Sequence, residues 1–417
     1  MKHAVKKLTA FLVVCLLYLT ACAVFETKKQ PVRSLPRGQT VAQLHPDLHP
    51  EPKRICAWLP YFSVAALFEP ADETVCRGRV RRCLNAAAAL GINTLFAHVC
   101  AFGESYYPSA YYPPAQEANG HDVMQILSEE CALAGIALHA WINPLRLQTE
   151  AAMCAHSGDA RLCAWFRAPQ TRAANLVLWD GRYYMNPASP AVPQFLAGAV
   201  TELLEHYRPA GIHIDDYFYP TGDAAFDAEP FRLSGYPDLA QWRTERISGI
   251  VRQMYRAVHE AAPYAVFSVS PQGNLPLNRE KLYADVETWC AETGYCDWML
   301  PQLYFGYRNE LCPFTETAAR WCSLPRDSSV KMMPGIAAYK YGSTDRFAGS
   351  GEDEWATDSG LLQRECVQVL TDPGFAGLSL YHLDSVLSLP EETQSALRTA
   401  LKQRSIRRTD RNDGNGQ

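Results

Sequence analysis

The segment Gly211-Ile212-His213-Ile214-Asp215-Asp216-Tyr217-Phe218-Tyr219-Pro220 opens with a short apolar run and ends in two acids among aromatic residues. A run this short and this apolar fits a strand covered on both faces, as in a parallel sheet. Side chains alternate along a strand. With Ile212 and Ile214 turned toward covering helices, His213, Asp215 and Tyr217 share the opposite face. Apolar residues at helical spacing flank the run, from Pro193 to Tyr207 and from Asp238 to Ala262. The local unit is therefore a strand set between helices.

The same alternation continues in both directions. Further short apolar runs are Ile55–Leu59, Thr94–Val99, Ala137–Ile142, Ala265–Ser270, Trp298–Tyr304, Lys331–Ala337 and Ala376–Tyr381. Helical patterns over Val75–Leu90 and Asp122–Ala134 stop at Gly91 and Gly135, the usual place for a C-terminal cap. Eight strands alternating with helices predict an α/β fold, a single-domain (β/α)8 TIM barrel. An open doubly wound sheet is the competing arrangement, but no Gly-x-Gly-x-x-Gly or phosphate-loop pattern supports it. The chain has 417 residues, enough for one such barrel.

Outside the barrel the chain is different in kind. Lys2, Lys6 and Lys7 precede the apolar run Leu8–Leu19, and Leu19-Thr20-Ala21-Cys22 follows. Basic, apolar and small segments in that order form a secretory leader. Its ending resembles a lipobox, which implies cleavage before Cys22 and lipidation of that thiol. The expected organisation is a leader over 1–22, a tether over 23–53, the barrel over 54–400 and a disordered tail over 401–417. The expected location is the bacterial cell envelope, lipid-anchored and outside the cytoplasm. A net charge of -5 gives no reason to expect a nucleic-acid partner. Of the 14 cysteines, those at 154 and 163, 290 and 296, and 312 and 322 are close enough in sequence to consider as disulfides. Cys56 and Cys100 sit in apolar runs as small buried hydrophobes, and no Cys-x-x-Cys zinc pattern occurs.

In barrels of this type the active site lies at the C-terminal ends of the strands. A carboxylate facing the barrel axis is costly unless paired or working, which makes Asp215 the first catalytic candidate and its neighbour Asp216 the second. Glu104 lies in a loop expected over the same rim, and Asp384 follows the eighth strand. By alternation His139, Trp141 and Asn143 share a face, and Gln302 and Tyr304 end the sixth strand. His139, Asn143, His213, Tyr217, Gln302, Tyr304 and Asp384 are candidates for holding substrate.

Several of these pieces resemble a known family. They are Trp58, Gly103-Glu104-Ser105-Tyr106-Tyr107-Pro108-Ser109, His139-Ala140-Trp141-Ile142-Asn143-Pro144, Met185-Asn186-Pro187-Ala188-Ser189-Pro190, the segment from Gly211 to Pro220, and Pro301-Gln302-Leu303-Tyr304. Together they look like the glycoside-hydrolase-like family 10 domain of exported bacterial proteins, over about Arg54 to Asp384. The resemblance implies a (β/α)8 barrel acting on glycan and adds Trp58 to the substrate-binding candidates. Some relatives are associated with the peptidoglycan sugar backbone. The family motif usually carries Asp where this chain has Glu104, which keeps the carboxylate but lengthens its reach.

The expected function is hydrolysis of a bacterial cell-wall or other polysaccharide, with no cofactor and no metal. Glycoside hydrolysis normally takes two carboxyl groups, one protonated and one ionised. Asp215 is the expected ionised partner; Glu104, Asp216 and Asp384 are candidates for the acid. If the substrate carries N-acetyl groups, its own amide could act instead as nucleophile. Retaining, inverting and assisted routes are all open at this level. A surface lipoprotein that binds glycan without cutting it is the alternative. A metal-dependent hydrolase built on His98, His139, His213 and Asp215 is a third reading, without a metal-ligand spacing to support it.

Overall fold

The computed structural model describes residues 53–402. The leader with Cys22, the tether as far as residue 52, and residues 403–417 lie outside the described residues. The compact unit that carries the strands begins at Arg54, and its final helix, Glu391–Lys402, runs two residues into the stretch read as tail.

Eight strand positions form one parallel sheet. They are β1 (Arg54–Leu59), β2 (Thr94–Ala101), β3 (Ala137–Ile142), β4 (Gly211–Ile214), β5 (Val266–Val269), β6 (Trp298–Met299 and Gln302–Leu303), β7 (Lys331–Met332 and Gly335–Ile336) and β8 (Gly377–Leu380). Each pairs with the next in sequence: Cys56 with Thr94, Thr94 with Ala137, His139 with Gly211, Gly211 with Val266, Ser268 with Trp298, Trp298 with Lys331, and Gly335 with Ser379. Gly377 of β8 then pairs with Arg54 of β1, which closes the circle as a TIM-type barrel. β6 and β7 are each interrupted, at Leu300-Pro301 and Met333-Pro334. Proline has no N–H to give a ladder, yet the outer pieces pair again, Gln302 with Gly335.

The helices obey the local signals. Asp72 and Asp122 accept hydrogen bonds from Val75 N and Gln125 N at the starts of Glu73–Leu90 and Val123–Ala134. Both helices end on a left-handed glycine, Gly91 and Gly135. Asp238 caps Leu239–Ala261 through Gln241 N. Inside the barrel the alternation holds, and its interior is mostly aromatic: Cys56, Trp58, Phe96, Trp141, Trp298, Leu300 and Met333 pack as one cluster.

An excursion between β3 and β4 was not legible as strands. It carries a small antiparallel sheet of Arg146–Thr149, Leu176–Trp179 and Arg182–Met185, with short helices between. The loop after β4 is held by a buried ion pair. Asp227 Oδ1 meets Arg243 Nη2 at 2.5 Å, and the same guanidinium donates to Tyr283 Oη and to the carbonyls of Gly222 and Asp223. A buried pair stays favourable only when its remaining donors are satisfied, and here the loop backbone satisfies them.

Among the described residues the cysteines form no disulfide, and all but Cys154 and Cys322 are buried. The three sequence-adjacent pairs considered as disulfides are therefore unbridged. Among the described residues no helix is long and apolar enough to cross a membrane.

One buried acid stands apart from the mouth of the barrel. Glu365 is 0% exposed, and neither of its carboxyl oxygens has a hydrogen-bond partner. Burial raises its carboxyl well above the usual range, and the charge of Glu354 adds to this. A carboxyl with a raised folded pKa favours folding fully only below its unfolded pKa, and that advantage fades as pH rises toward the folded value. Glu365→Gln is accordingly expected to match the parent in thermal stability near pH 4 and to exceed it at pH 8, each recovered kcal/mol appearing as about 2–4 °C in Tm. A Tm difference that stays constant between those two pH values would contradict this reading.

Candidate active site

A cavity opens at the C-terminal mouth of the barrel, lined by Trp58, Trp141, Asp215, Asp216, Tyr217, Ser270, Gln302, Tyr304 and Tyr381. Each strand end contributes through local sequence. Trp58 is the fifth residue of β1, and its ring packs against Gly335 of β7, where a Cβ would stand 2.8 Å from the indole. Trp141 comes from β3 and Ser270 follows β5. Asp215 and Asp216 follow directly on β4, where Ile214 ends the ladder.

Asp215 is 4% exposed. Its Oδ2 accepts from Asn143 Nδ2 at 2.6 Å and from Trp141 Nε1 at 3.2 Å, while Oδ1 meets only Tyr217 N at 3.4 Å. Asn143 is itself oriented, since its Oδ1 lies 3.0 Å from His98 Nε2 and 3.4 Å from Phe102 N. Oδ1 thus faces donors and the amide nitrogen is left to face Asp215. Asp216 accepts from Gln272 Nε2. Burial raises the Asp215 carboxyl well above the usual carboxylate range, and the neighbouring Asp216 charge pushes the same way. Burial also raises Asp216, but the Gln302 and Gln272 amides and the Arg146 guanidinium oppose it. The two oxygens of Asp215 are unlike in consequence: one is anchored by two side chains, the other is nearly free toward the cavity.

Below the cavity lie the histidines. Trp58 Nε1 donates to His213 Nε2 at 2.9 Å, so the proton of the neutral ring is on Nδ1, which lies 2.8 Å from Ser268 Oγ. Ser268 Oγ passes its own proton on to Ile212 O. His213 is buried, and burial holds its pKa well below the usual imidazole value. His139 stacks on Trp298 at 4.9 Å, and His98 stacks on Trp141 at 3.9 Å. Burial pushes both imidazoles down to about 3. His139 and His213, taken from sequence as sugar contacts, therefore sit under the floor and not in the lining. The three imidazoles face three different partners, and among the described residues no group of three or more His, Cys, Asp or Glu side chains is placed to hold a metal ion.

Glu104 and Asp384 are not among the lining residues either. β2 turns back at Phe102-Gly103, both with positive φ (56° and 79°), into the short strand Glu104–Ser105. Such a two-residue turn with both positions left-handed is the hairpin type I′. It sends Glu104 toward the excursion, where its oxygens pair with Gln148 Nε2 at 2.9 Å and His156 Nε2 at 2.7 Å. Asp384 sits half-buried in the first turn of Leu383–Leu387. Asn143 stands behind the cavity as the donor to Asp215, while Trp58, Tyr217, Gln302 and Tyr304 reach the lining.

Two groups escaped the sequence reading. Arg146 places its guanidinium 4.5 Å over the Tyr217 ring and 5.0 Å over Phe102, and Arg182 covers Phe102 at 5.5 Å. Gln272 follows the fifth strand and reaches Asp216 at the end of the neighbouring fourth strand. Neither carries a local motif: Arg146 opens the first strand of the excursion and Gln272 lies in the loop after β5, and the placement of both depends on the closed barrel.

Comparison with known proteins agrees with this architecture. The family model described as glycosyl hydrolase-like 10 matches residues 58–355. Glycosyl hydrolase DigH of Escherichia coli (strain K12) is 25% identical over 339 residues, covering 73% of this chain and 75% of that protein. Glycosyl hydrolase YngK of Bacillus subtilis (strain 168) is 26% identical over 282 residues, covering 60% of this chain and 53% of YngK, so the match spans about half of that longer relative. Among solved structures, the catalytic domain of β-amylase from Paenibacillus polymyxa superposes with a TM-score of 0.54 at 9% identity, covering 83% of this chain and 97% of that one. An Anoxybacillus α-amylase does so with a TM-score of 0.53 at 10% identity, over 85% and 79%. At such identity the likeness concerns the fold alone. The family match spans most of the barrel and contains every residue lining the cavity except Tyr381, and the chain belongs to the glycosyl hydrolase-like 10 family.

Proposed function

We propose that this protein hydrolyses glycosidic bonds of a bacterial envelope polysaccharide, with Asp215 as proton donor and Asp216 as the ionised partner. The observation that carries the proposal is the placement of two adjoining carboxyl groups in one aromatic cavity at the barrel mouth. Two such neighbours cannot both ionise cheaply, so the pair holds one proton and one charge over a wide pH range. The charge settles where cationic and amide donors are, beside Arg146, Gln272 and Gln302. The proton settles on the more buried Asp215, whose Oδ2 is anchored and whose Oδ1 faces the hollow. This assignment is the reverse of the sequence expectation for Asp215, and burial is the reason. The leader and the Cys22 lipid anchor, read from sequence, support an envelope glycan as substrate and attachment to the membrane through that lipid.

Replacement of the donor has a specific signature. Asp215→Asn is expected to lower kcat on glycans by about 10²–10⁴-fold, with far less loss on aryl glycosides whose leaving group needs no proton. Initial rates on both substrate types decide it; equal loss on both would remove Asp215 from the donor role.

The pH profile offers a second check. The rate needs Asp216 ionised and Asp215 protonated, so kcat/KM should rise as the pair loses its first proton and fall as it loses its second. Arg146→Met removes a positive neighbour of Asp216, which disfavours the anion and moves the acid limb to higher pH. An acid limb that moves down or stays fixed would separate Arg146 from the pair.

A further inference from the structure

Cleaving a glycosidic bond takes a proton for the departing oxygen and an electron pair delivered to the anomeric carbon from its other side. This cavity carries carboxyl groups on one wall only. The lining acids are Asp215 and Asp216, consecutive in the chain, with Cα atoms therefore about 3.8 Å apart. Glu104 is engaged with Gln148 and His156 on the excursion, and Asp384 is outside the lining. The ends of β6 and β8 add the phenols of Tyr304 and Tyr381, whose rings pack 5.4 Å apart in the same lining. Burial holds both phenols protonated, and so they serve as donors and not as nucleophiles.

The floor is equally selective. Trp58 gives its indole N–H to His213, and Trp141 gives its own to Asp215. Each indole has one donor and no acceptor, so both are left with only carbon surface to offer a ligand. A sugar hydroxyl pressed there would lose its hydrogen bonds to water without replacement, whereas a methyl group gains from the contact.

We propose that the nucleophile is supplied by the substrate: the carbonyl oxygen of a 2-acetamido group, on a sugar whose acetamide seats its methyl on the Trp58–Trp141 floor and gives its N–H to Asp216. This rests on the hydrolase reading above and assigns its nucleophile, for β-linked 2-acetamido-2-deoxyhexosides. In the first step the acetamide oxygen bonds to C1, the C1–O bond to the leaving sugar breaks, and the Asp215 proton passes to that oxygen. The resulting oxazolinium holds its positive N–H against the Asp216 carboxylate. In the second step water adds to C1, the ring C1–O bond opens to restore the acetamide, and the water proton returns to Asp215. Two inversions at C1 leave the product with the β configuration of the substrate.

The test uses the full-length protein and peptide-free peptidoglycan strands, before and after chemical de-N-acetylation, with the thiazoline of N-acetylglucosamine as a stable mimic of the cyclic intermediate. Expected are cleavage of the acetylated strands only, a β anomer as first product by NMR, and calorimetric binding of the thiazoline that weakens about 10- to 100-fold in Asp216→Asn. Comparable cleavage of both strands would overturn substrate assistance while leaving the hydrolase reading intact, and so would an α product. If neither strand is cut, Asp216-dependent thiazoline binding keeps the acetamide seat but overturns the nucleophile assignment, and absence of binding overturns both. The comparison of strands needs no variant, so a folding defect in Asp216→Asn does not blunt it.

Discussion

Two carboxyl groups on neighbouring residues, both facing an aromatic hollow, repel each other and lose hydration together. That constraint organises the mouth of the barrel. Asn143 and Trp141 grip one oxygen of Asp215, His98 fixes Asn143, and Gln272 reaches over to Asp216. A guanidinium sandwiched between Phe102 and Tyr217 lends its field to the same side. None of these contacts is strong alone. Together they make the surroundings of two otherwise similar groups unlike, and the proposed division of one proton and one charge between them, which acid-assisted cleavage of an acetal requires, rests on that difference.

The barrel brings the two acids into a buried, largely aromatic setting. Strand closure places residues 58, 141, 215 and 302 at one level although they are far apart in sequence. The loop after β4, which carries Tyr217 and Tyr219, is tied down by the buried Asp227–Arg243 pair. Tyr219 donates to the same Asp227 carboxylate. The excursion between β3 and β4 supplies Arg146 from its first strand, so a peripheral sheet contributes to the electrostatics of the centre.

Much of this was legible in the chain. The eight strands announce themselves as apolar runs of the right length, and alternation along Gly211–Asp215 is enough to aim Asp215 inward. Capping signals at Asp72, Asp122, Gly91 and Gly135 mark helix ends without tertiary information. Illegible were features decided by long-range closure. Arg146 and Gln272 have no local pattern, because their partners lie roughly 70 and 56 residues away. Glu104 read as a rim acid, but a two-residue turn reverses the chain before it and carries it away. His139 and His213 shared the right face with Asp215, yet strand alternation gives the face and not the depth, and both lie a layer too low. The strands of the excursion are four residues long, too short for periodicity to separate them from loop.

The neutral imidazoles under the floor have a thermodynamic consequence for the molecule as a whole. His98, His139 and His213 are all held uncharged in the folded chain, the first two with pKa pushed down to about 3. Once unfolded, each returns to about 6.5 and takes up a proton in mild acid. Their contribution to stability is therefore intact above that value and drains away as acidity increases toward the folded pKa, by up to about 1.4 kcal/mol per histidine for each pH unit. A barrel built on this layer carries its own acid limit, written into the stacked rings beneath its aromatic floor and not into its surface charge.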